Sequence, residues 1–270
     1  ANNCLLRKLA KLHRTTEKQI SNMRHSLLSS LLCLATFLSV QNTKAQDAWH
    51  VVAKDINPAN YFGVTVANGM VGTVSSPEPM RVKDVALNGA YDYYQRGRVS
   101  NILKTFNHVN MNLDVDGRRV SRRDISNFTQ DLDMKRAALL TSFEVGDKLS
   151  VKHTMMSLRH LPYTALTIVE ITAKKDVTIT PMSVIEAPDH LSDVRNYYSE
   201  IDRPHVTIPL LTSVANSPSG KLKVAASTSF IFEEAHGQEP KIIHEDWDYN
   251  MHLAKFYKKI KAGETYRFAL

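Results

Sequence analysis

Val109-Asn110-Met111-Asn112-Leu113-Asp114-Val115-Asp116-Gly117 is the stretch that decides the fold. Its first seven residues alternate strictly between apolar and polar, which is typical of a strand with one buried and one solvated face. Asp116-Gly117 predicts a hairpin turn, because glycine tolerates the positive φ that a tight turn requires. A half-buried strand followed directly by such a turn favours an antiparallel β protein.

Strand patterns recur along the rest of the chain. Residues 143–145, the pair Gly146-Asp147 and the alternating residues 149–155 predict a second hairpin. Residues 163–173 and 177–185 are rich in β-branched residues with apolar side chains on both faces, which predicts central strands covered on both sides. Further strands are predicted within 222–232 and within 256–268, the latter interrupted by a turn at 262–264. Because no long helical stripe follows residue 45, we predict an all-β fold, a large antiparallel β-sandwich over 46–270.

The N-terminal part predicts a secretory signal peptide at 23–45. Met23-Arg24-His25 is a short basic start, 27–40 is an apolar run, and Thr43-Lys44-Ala45 is a small-residue cleavage site that leaves Gln46 first. The run of about 14 residues is too short for a bilayer-spanning helix, which needs about 20. The residues before Cys33 do not suit a lipoprotein anchor. We therefore expect a periplasmic or secreted protein, with no membrane partner after cleavage.

Residues 1–22 precede Met23 and are interpreted as lying outside the native protein. The alternative is a basic amphipathic helix, because leucines at positions 5, 6, 9 and 12 have helical spacing. The chain starts with Ala1 and stops at Leu270 inside a predicted strand. We therefore expect it to be the beginning of a longer protein, truncated before another domain.

Charge and cysteine content narrow the function classes. The formal net charge is +7, and residues 1–45 hold seven basic side chains and one acidic one, so the part from Gln46 onward is almost neutral. This balance does not indicate nucleic acid as a partner. Both cysteines, Cys4 and Cys33, also precede Gln46, so no disulfide or thiol chemistry is predicted for the domain.

No strong catalytic, metal-binding or cofactor motif occurs in the sequence, so we predict no metal, no cofactor and no catalytic residue. Asp131 and Asp133 lie two apart on a predicted strand, but the nearby basic residues favour a solvated face over general-acid chemistry. His108 and His153 lie at strand positions and are interpreted as packing residues.

Two polar, aromatic stretches are the candidate substrate contacts. Residues 186–205 form a long predicted connection, and long loops are often functional. Residues 245–249 combine aromatic rings with carboxylates. A sugar ring stacks on an aromatic face while its hydroxyls bond to polar side chains. The predicted substrate-binding residues are Arg195, Tyr197, Tyr198 and Trp247.

Motif order then adds a family resemblance. The motifs are Asn68-Gly69-Met70-Val71-Gly72, Asn88-Gly89-Ala90-Tyr91-Asp92, the stretch 110–117, Gln130-Asp131-Leu132-Asp133-Met134-Lys135, the Gly146 hairpin and Ser157-Leu158-Arg159-His160. In this order they resemble the N-terminal β-sandwich of glycoside hydrolase family 65, which includes maltose, trehalose and kojibiose phosphorylases and related α-glucosidases. The resemblance covers 61–185.

The resemblance implies a galactose-mutarotase-like supersandwich, followed by a linker and an (α/α)6 barrel that carries the catalytic glutamate. No part of this chain matches that barrel, so no catalytic residue is carried over. An exported member has little reason to depend on intracellular phosphate, so hydrolysis of an α-glucoside oligosaccharide is favoured over phosphorolysis.

Two alternatives stay open. One is a stand-alone carbohydrate-binding β-sandwich, indicated by the aromatic stretches. The other is a mutarotase-like epimerase, for which His153 and Glu186 are the pair that could act as base and acid. Self-association into a homodimer also stays open.

Overall fold

The computed structural model of the chain describes residues 47–93, 99–248 and 250–270. The upstream segment 1–22 and the predicted signal peptide 23–45 lie outside these residues. The strands below all belong to the compact unit Trp49–Leu270.

The described residues form twenty strands. They are β1 (His50–Ala53), β2 (Thr65–Ala67), β3 (Val71–Ser75), β4 (Val82–Tyr93), β5 (Ser100–Lys104), β6 (Asn107–Val115), β7 (Arg118–Arg119), β8 (Ile125–Asp133), β9 (Ala138–Val145), β10 (Leu149–Ser157), β11 (Ala165–Ala173), β12 (Val177–Glu186), β13 (Ser192–Arg203), β14 (Val206–Asn216), β15 (Lys223–Thr228), β16 (Ile231–Phe232), β17 (Ile243–Asp248), β18 (Met251–Lys255), β19 (Lys258–Ile260) and β20 (Thr265–Ala269). Two short 3₁₀ helices lie at Pro58–Asn60 and Arg122–Asp124.

These strands make four antiparallel sheets. The largest has the order β1-β8-β9-β10-β11-β20-β16, and a second has the order β17-β18-β12-β6-β7, with β19 also paired to β12. The two smaller sheets are β13-β14-β15 and β2-β3-β4-β5. The predicted all-β antiparallel class is confirmed.

Both predicted hairpins are confirmed. Asp116 and Gly117 have φ of 52° and 78° between β6 and β7, and two successive positive φ values are those of a tight turn that matches strand twist. Gly146, with φ of 51°, connects β9 to β10, where Val145 pairs with Leu149.

One main hydrophobic core joins the sheets. It contains Phe143 and Leu149 from the largest sheet, Met111 and Ile179 from the second, and Leu211 from the β13-β14-β15 sheet. Because inward-facing side chains of different sheets share one cluster, the sheets pack face to face as layers.

The prediction of two doubly covered strands is right for β12 and wrong for β11. β12 is buried on both faces, since Ile179 joins the main core and Val184 joins a second cluster with Leu253. In β11 every second residue is half-exposed, and Glu170 lies 3.5 Å from Arg267 across the outer face. That face is only partly buried, so its β-branched residues reflect strand propensity as well as burial.

Residues 186–205 are not a long connection, so that prediction is wrong. β12 continues to Glu186, and β13 begins at Ser192 and runs to Arg203. The sequence predicts a loop here because β13 has polar residues on both faces. Such a pattern is compatible with an edge strand whose outer face is largely solvated.

Candidate functional site

A polar cavity of about 480 Å³ lies where β12 ends. Small-molecule sites typically have volumes of about 300–1,000 Å³. The charged residues of its lining are Lys83, Asp84, Lys104, Glu186 and Asp189, and the neutral polar ones are Asn107, His190 and Asn250. Of the two stretches that the sequence singled out, 186–205 reaches this cavity through Glu186 and the residues up to His190, whereas the lining contains no residue of 245–249.

A β-bulge lies opposite Glu186 at the cavity wall. β12 pairs with β6 in regular register as far as Val184 opposite Asn110, and the register then shifts so that Glu186 lies opposite Asn107. The extra residue is in β6, and such a residue bends its own strand. The backbone N–H of Ala187 donates to the carbonyl of Asn250 at 2.8 Å, which ties the following turn to the β17–β18 hairpin.

Three side chains hold the Glu186 carboxylate in one orientation. Arg81 donates to its Oε1, and the Asn110 Nδ2 donates to its Oε2 at 2.7 Å. Arg81 is itself oriented by Asn112, whose Oδ1 lies 2.8 Å from the Arg81 guanidinium. Hydrogen bonds to a charged group are stronger than neutral ones, so this wall of the cavity is rigid.

The opposite wall has a second ion pair. The Lys104 Nζ lies 2.8 Å from the Asp84 Oδ1, and the His190 Nε2 donates to the carbonyl of Lys104 at 2.7 Å. The second contact joins the turn after β12 to the end of β5. The cavity is therefore bounded by groups from two sheets whose positions are set by hydrogen bonds.

The side-chain oxygen of Asn107 accepts no hydrogen bond from the described residues. Its Nδ2 donates to the carbonyl of Lys83 at 3.3 Å, while its buried Oδ1 has no hydrogen-bond partner among the described residues. Leaving a buried acceptor without a donor costs about 1–3 kcal/mol. Because this oxygen is closed to solvent, the unmet hydrogen bond is a cost within the fold and not a contact offered to a ligand.

The four residues predicted to bind substrate do not form one surface. Side chains alternate along β13, so Tyr198 points inward with Asn196, while Arg195 and Tyr197 point outward. Arg195 pairs with Asp193 at 3.2 Å, and Tyr197 is 53% exposed. The Trp247 backbone belongs to β17, and its side chain lies outside the described residues.

Tyr198 does join the two predicted stretches. Its ring stacks on His244 of β17, with 4.7 Å between ring centroids and 5° between ring planes. The Tyr198 hydroxyl donates to Glu200 at 2.7 Å, and burial together with that carboxylate raises the pKa of the phenol. The ring therefore acts as a packing contact between β13 and β17, which differs from the exposed sugar platform that we predicted.

Behind Tyr198 lies a buried polar chain. The His244 and His252 Nε2 atoms are 2.7 Å apart, and the His252 Nδ1 is 3.3 Å from the Ser213 hydroxyl. That hydroxyl donates to the Asn196 Oδ1 at 2.7 Å. Because His252 is fully buried, this chain satisfies polar groups between the sheets.

The carboxylates and histidines interpreted as structural make contacts within the domain. Asp133 lies near Arg136 at 3.7 Å, and Asp131 accepts from His50 at 3.0 Å. Burial lowers the pKa of both strand histidines, and the pKa of His153 falls to about 4. His153 is buried, whereas His108 is partly exposed and its Nδ1 lies 3.3 Å from the carbonyl oxygen of Phe106.

The described residues contain neither a metal-ligand cluster nor a membrane-spanning helix. Within 47–93, 99–248 and 250–270, no group of three or more potential ligand side chains is placed to hold a metal ion. In the same part of the chain, no helix has the length and apolar character needed to cross a membrane.

Comparison with known proteins identifies the family. Residues 63–269 match the family model described as "Glycosyl hydrolase family 65, N-terminal domain". The chain belongs to glycosyl hydrolase family 65. The sequence resemblance ended at Ile185, whereas this match extends the family-65 domain over β13 to β20 as well.

Two curated relatives carry the same name. A kojibiose hydrolase of Mucilaginibacter mallensis is 51% identical over 237 residues, which cover 88% of this family-65 chain and 35% of the relative. A kojibiose hydrolase of Flavobacterium johnsoniae is 43% identical over 246 residues, covering 91% of this chain and 35% of that protein. The chain thus spans about a third of the length of these relatives.

A solved structure shares the fold. It is a candidate kojibiose phosphorylase from the human microbiome, which aligns with a TM-score of 0.63 over 83% of this chain and 32% of its own. Its sequence identity is 10%, so the likeness shows a common family-65 fold and carries no statement about the reaction.

Proposed function

We propose that this chain is the N-terminal, non-catalytic β-sandwich of an exported enzyme that hydrolyses α-glucosides, with kojibiose as its substrate. The observation that carries the proposal is the 51% identity to a kojibiose hydrolase over 88% of the chain. In finer detail, the domain is a galactose-mutarotase-like supersandwich over 46–270. It supports a catalytic (α/α)6 barrel that lies further along the whole protein.

Hydrolysis is favoured over phosphorolysis because the relatives named as hydrolases are much more similar to this chain in sequence. The relatives named as hydrolases are 43–51% identical to this chain, whereas the phosphorylase-like structure is 10% identical. Export rests on the 23–45 leader. A cell exterior poor in phosphate gives hydrolysis a further advantage.

The non-catalytic role is supported by the contacts of the cavity carboxylates. Glu186 is bound by Arg81 and Asn110, and Asp84 is paired with Lys104, so both carboxylates are engaged within the domain. The epimerase alternative loses support as well, because His153 lies on β10 of the largest sheet and does not belong to the cavity lining that contains Glu186.

The reaction is tested with the full-length gene product and kojibiose. We expect glucose release in phosphate-free buffer, and no glucose 1-phosphate when phosphate is added. The chain 1–270 assayed alone should release no glucose. Phosphate-dependent turnover would refute the hydrolase assignment, and turnover by the chain alone would refute the non-catalytic role.

Export is tested by cell fractionation and N-terminal sequencing of the native protein. We expect a mature N-terminus at Gln46 in the periplasm or the culture medium. A cytoplasmic protein that retains residues 23–45 would contradict the signal-peptide prediction.

A further inference from the structure

We infer that the polar cavity at the end of β12 is a binding site for a neutral mono- or disaccharide of glucose. The choice of glucose rests on the proposed function. The choice of a small, neutral, polyhydroxylated ligand rests on the cavity itself, which lies outside any catalytic assignment made above.

The charge of the cavity favours a neutral ligand. Lys104 is paired with Asp84, and Glu186 is paired with Arg81, which leaves one cation and one anion, Lys83 and Asp189, in the lining. The formal charges of these side chains cancel. A phosphate group would meet the carboxylates of Asp84 and Glu186, and a metal cation would meet the ammonium groups.

The hydrogen-bonding groups match hydroxyls. A sugar hydroxyl both donates and accepts, so it suits a wall that mixes carboxylates, which accept, with amides, which do both. Glu186 is fixed by Arg81 and Asn110, so it loses little freedom when a ligand binds. The amides of Asn107 and Asn250 complete this set on neighbouring walls.

The cavity is open to solvent and has one apolar side. Lys83 and Asp189 are exposed residues of the same lining, so the cavity can be reached from solvent. Met251 gives the lining an apolar surface for the C–H face of a sugar ring.

Isothermal titration of the chain with kojibiose, glucose and, separately, inorganic phosphate tests the inference. We expect kojibiose or glucose to bind with a millimolar dissociation constant, and phosphate not to compete. Lys83→Ala and Asp189→Ala should each weaken sugar binding about threefold to tenfold, the range set by loss of one hydrogen bond. Both residues are exposed, so the fold should be retained, which far-UV circular dichroism checks.

Lys223→Ala is the matched control, because Lys223 is an exposed lysine on β15 away from the cavity lining. It should bind sugar as the unaltered chain does. The inference is overturned if no sugar binds, if phosphate displaces the sugar, or if the double variant K83A/D189A binds as tightly as the control.

Kojibiose hydrolysis by the full-length protein is measured separately. Hydrolysis without sugar binding to the chain rejects the cavity site alone, and absence of hydrolysis rejects the proposed function alone.

Discussion

His153 should make the domain less stable in mild acid. It lies in β10 with 5% of its surface exposed, and its Nε2 has no hydrogen-bond partner among the described residues. Burial without a compensating partner disfavours the charged imidazolium and lowers its pKa to about 4. In the unfolded chain a histidine titrates at about 6.5.

The difference between these two pKa values sets the direction and the size of the pH effect on the free energy of unfolding. Between pH 6.5 and 4 the unfolded state binds a proton that the folded state does not, so the free energy of unfolding falls as the pH falls through this window. Each pH unit well inside the window costs about 1.4 kcal/mol. Summed from pH 7.5 to 4.5, His153 should lower the free energy of unfolding by about 2.5 kcal/mol, and above pH 7 it should contribute no pH dependence.

Equilibrium urea unfolding of the chain and of His153→Leu at pH 7.5 and 4.5 measures this term. Leucine cannot be protonated, so the variant should lose about 2.5 kcal/mol less than the unaltered chain on acidification. Comparing the two proteins removes the effect of the other titrating groups, His108 included. Equal losses in His153→Leu and in the unaltered chain would refute the reasoning.

Two further predictions concern packing. Phe256 is fully buried and meets Phe230 and Phe268 edge-on at 5.0 and 5.3 Å, so Phe256→Ala should lower the free energy of unfolding by about 3–5 kcal/mol. The neighbouring Tyr257→Ala, 54% exposed, should cost less than about 1 kcal/mol in the same urea titration, and similar losses in both variants would contradict the core assignment. A Cβ on Gly63 would lie 2.6 Å from the Ser75 carbonyl oxygen, so Gly63→Ala should lower the melting temperature by several degrees more than Gly69→Ala, which has a similar positive φ but open space. An equal shift in the two alanine variants would show that backbone conformation, and not the contact, sets the cost.

The strands that could be predicted from the sequence are those whose burial repeats locally. β10 alternates between buried and more exposed residues as its sequence predicts, and the apolar residues 109, 111, 113 and 115 of β6 are all buried. The predicted solvated face of β6 is wrong at Asn110, which is fully buried and bonds to Glu186. β13 escaped prediction because only Val194, Asn196 and Tyr198 mark its inner face, and two of these are polar. Their burial comes from contacts with other strands, which a local pattern does not contain.

The sequence indicated one segment of the candidate site but not the individual residues that line it, for a related reason. Composition drew attention to 186–205 and 245–249, and the first of these stretches reaches the cavity. The predicted substrate contacts were chosen for stacking chemistry, which favours aromatic rings, whereas the cavity lining consists mainly of charged and polar side chains. Glu186 lies opposite a bulge in β6, and the pairing of two strands about 70 residues apart cannot be read from one segment.

The comparisons separate the scaffold from the reaction. The chain is similar in sequence to relatives named as kojibiose hydrolases, and it shares its strand arrangement, at 10% identity, with a candidate kojibiose phosphorylase. The arrangement alone therefore does not select water over phosphate as the attacking group, since function resides in sites carried by a fold. Sugar recognition does not have the same restriction, because a hydrolase and a phosphorylase must both hold the glucoside. A glucose-binding cavity in the sandwich is thus compatible with either reaction, and its test by titration is independent of which one the whole enzyme performs.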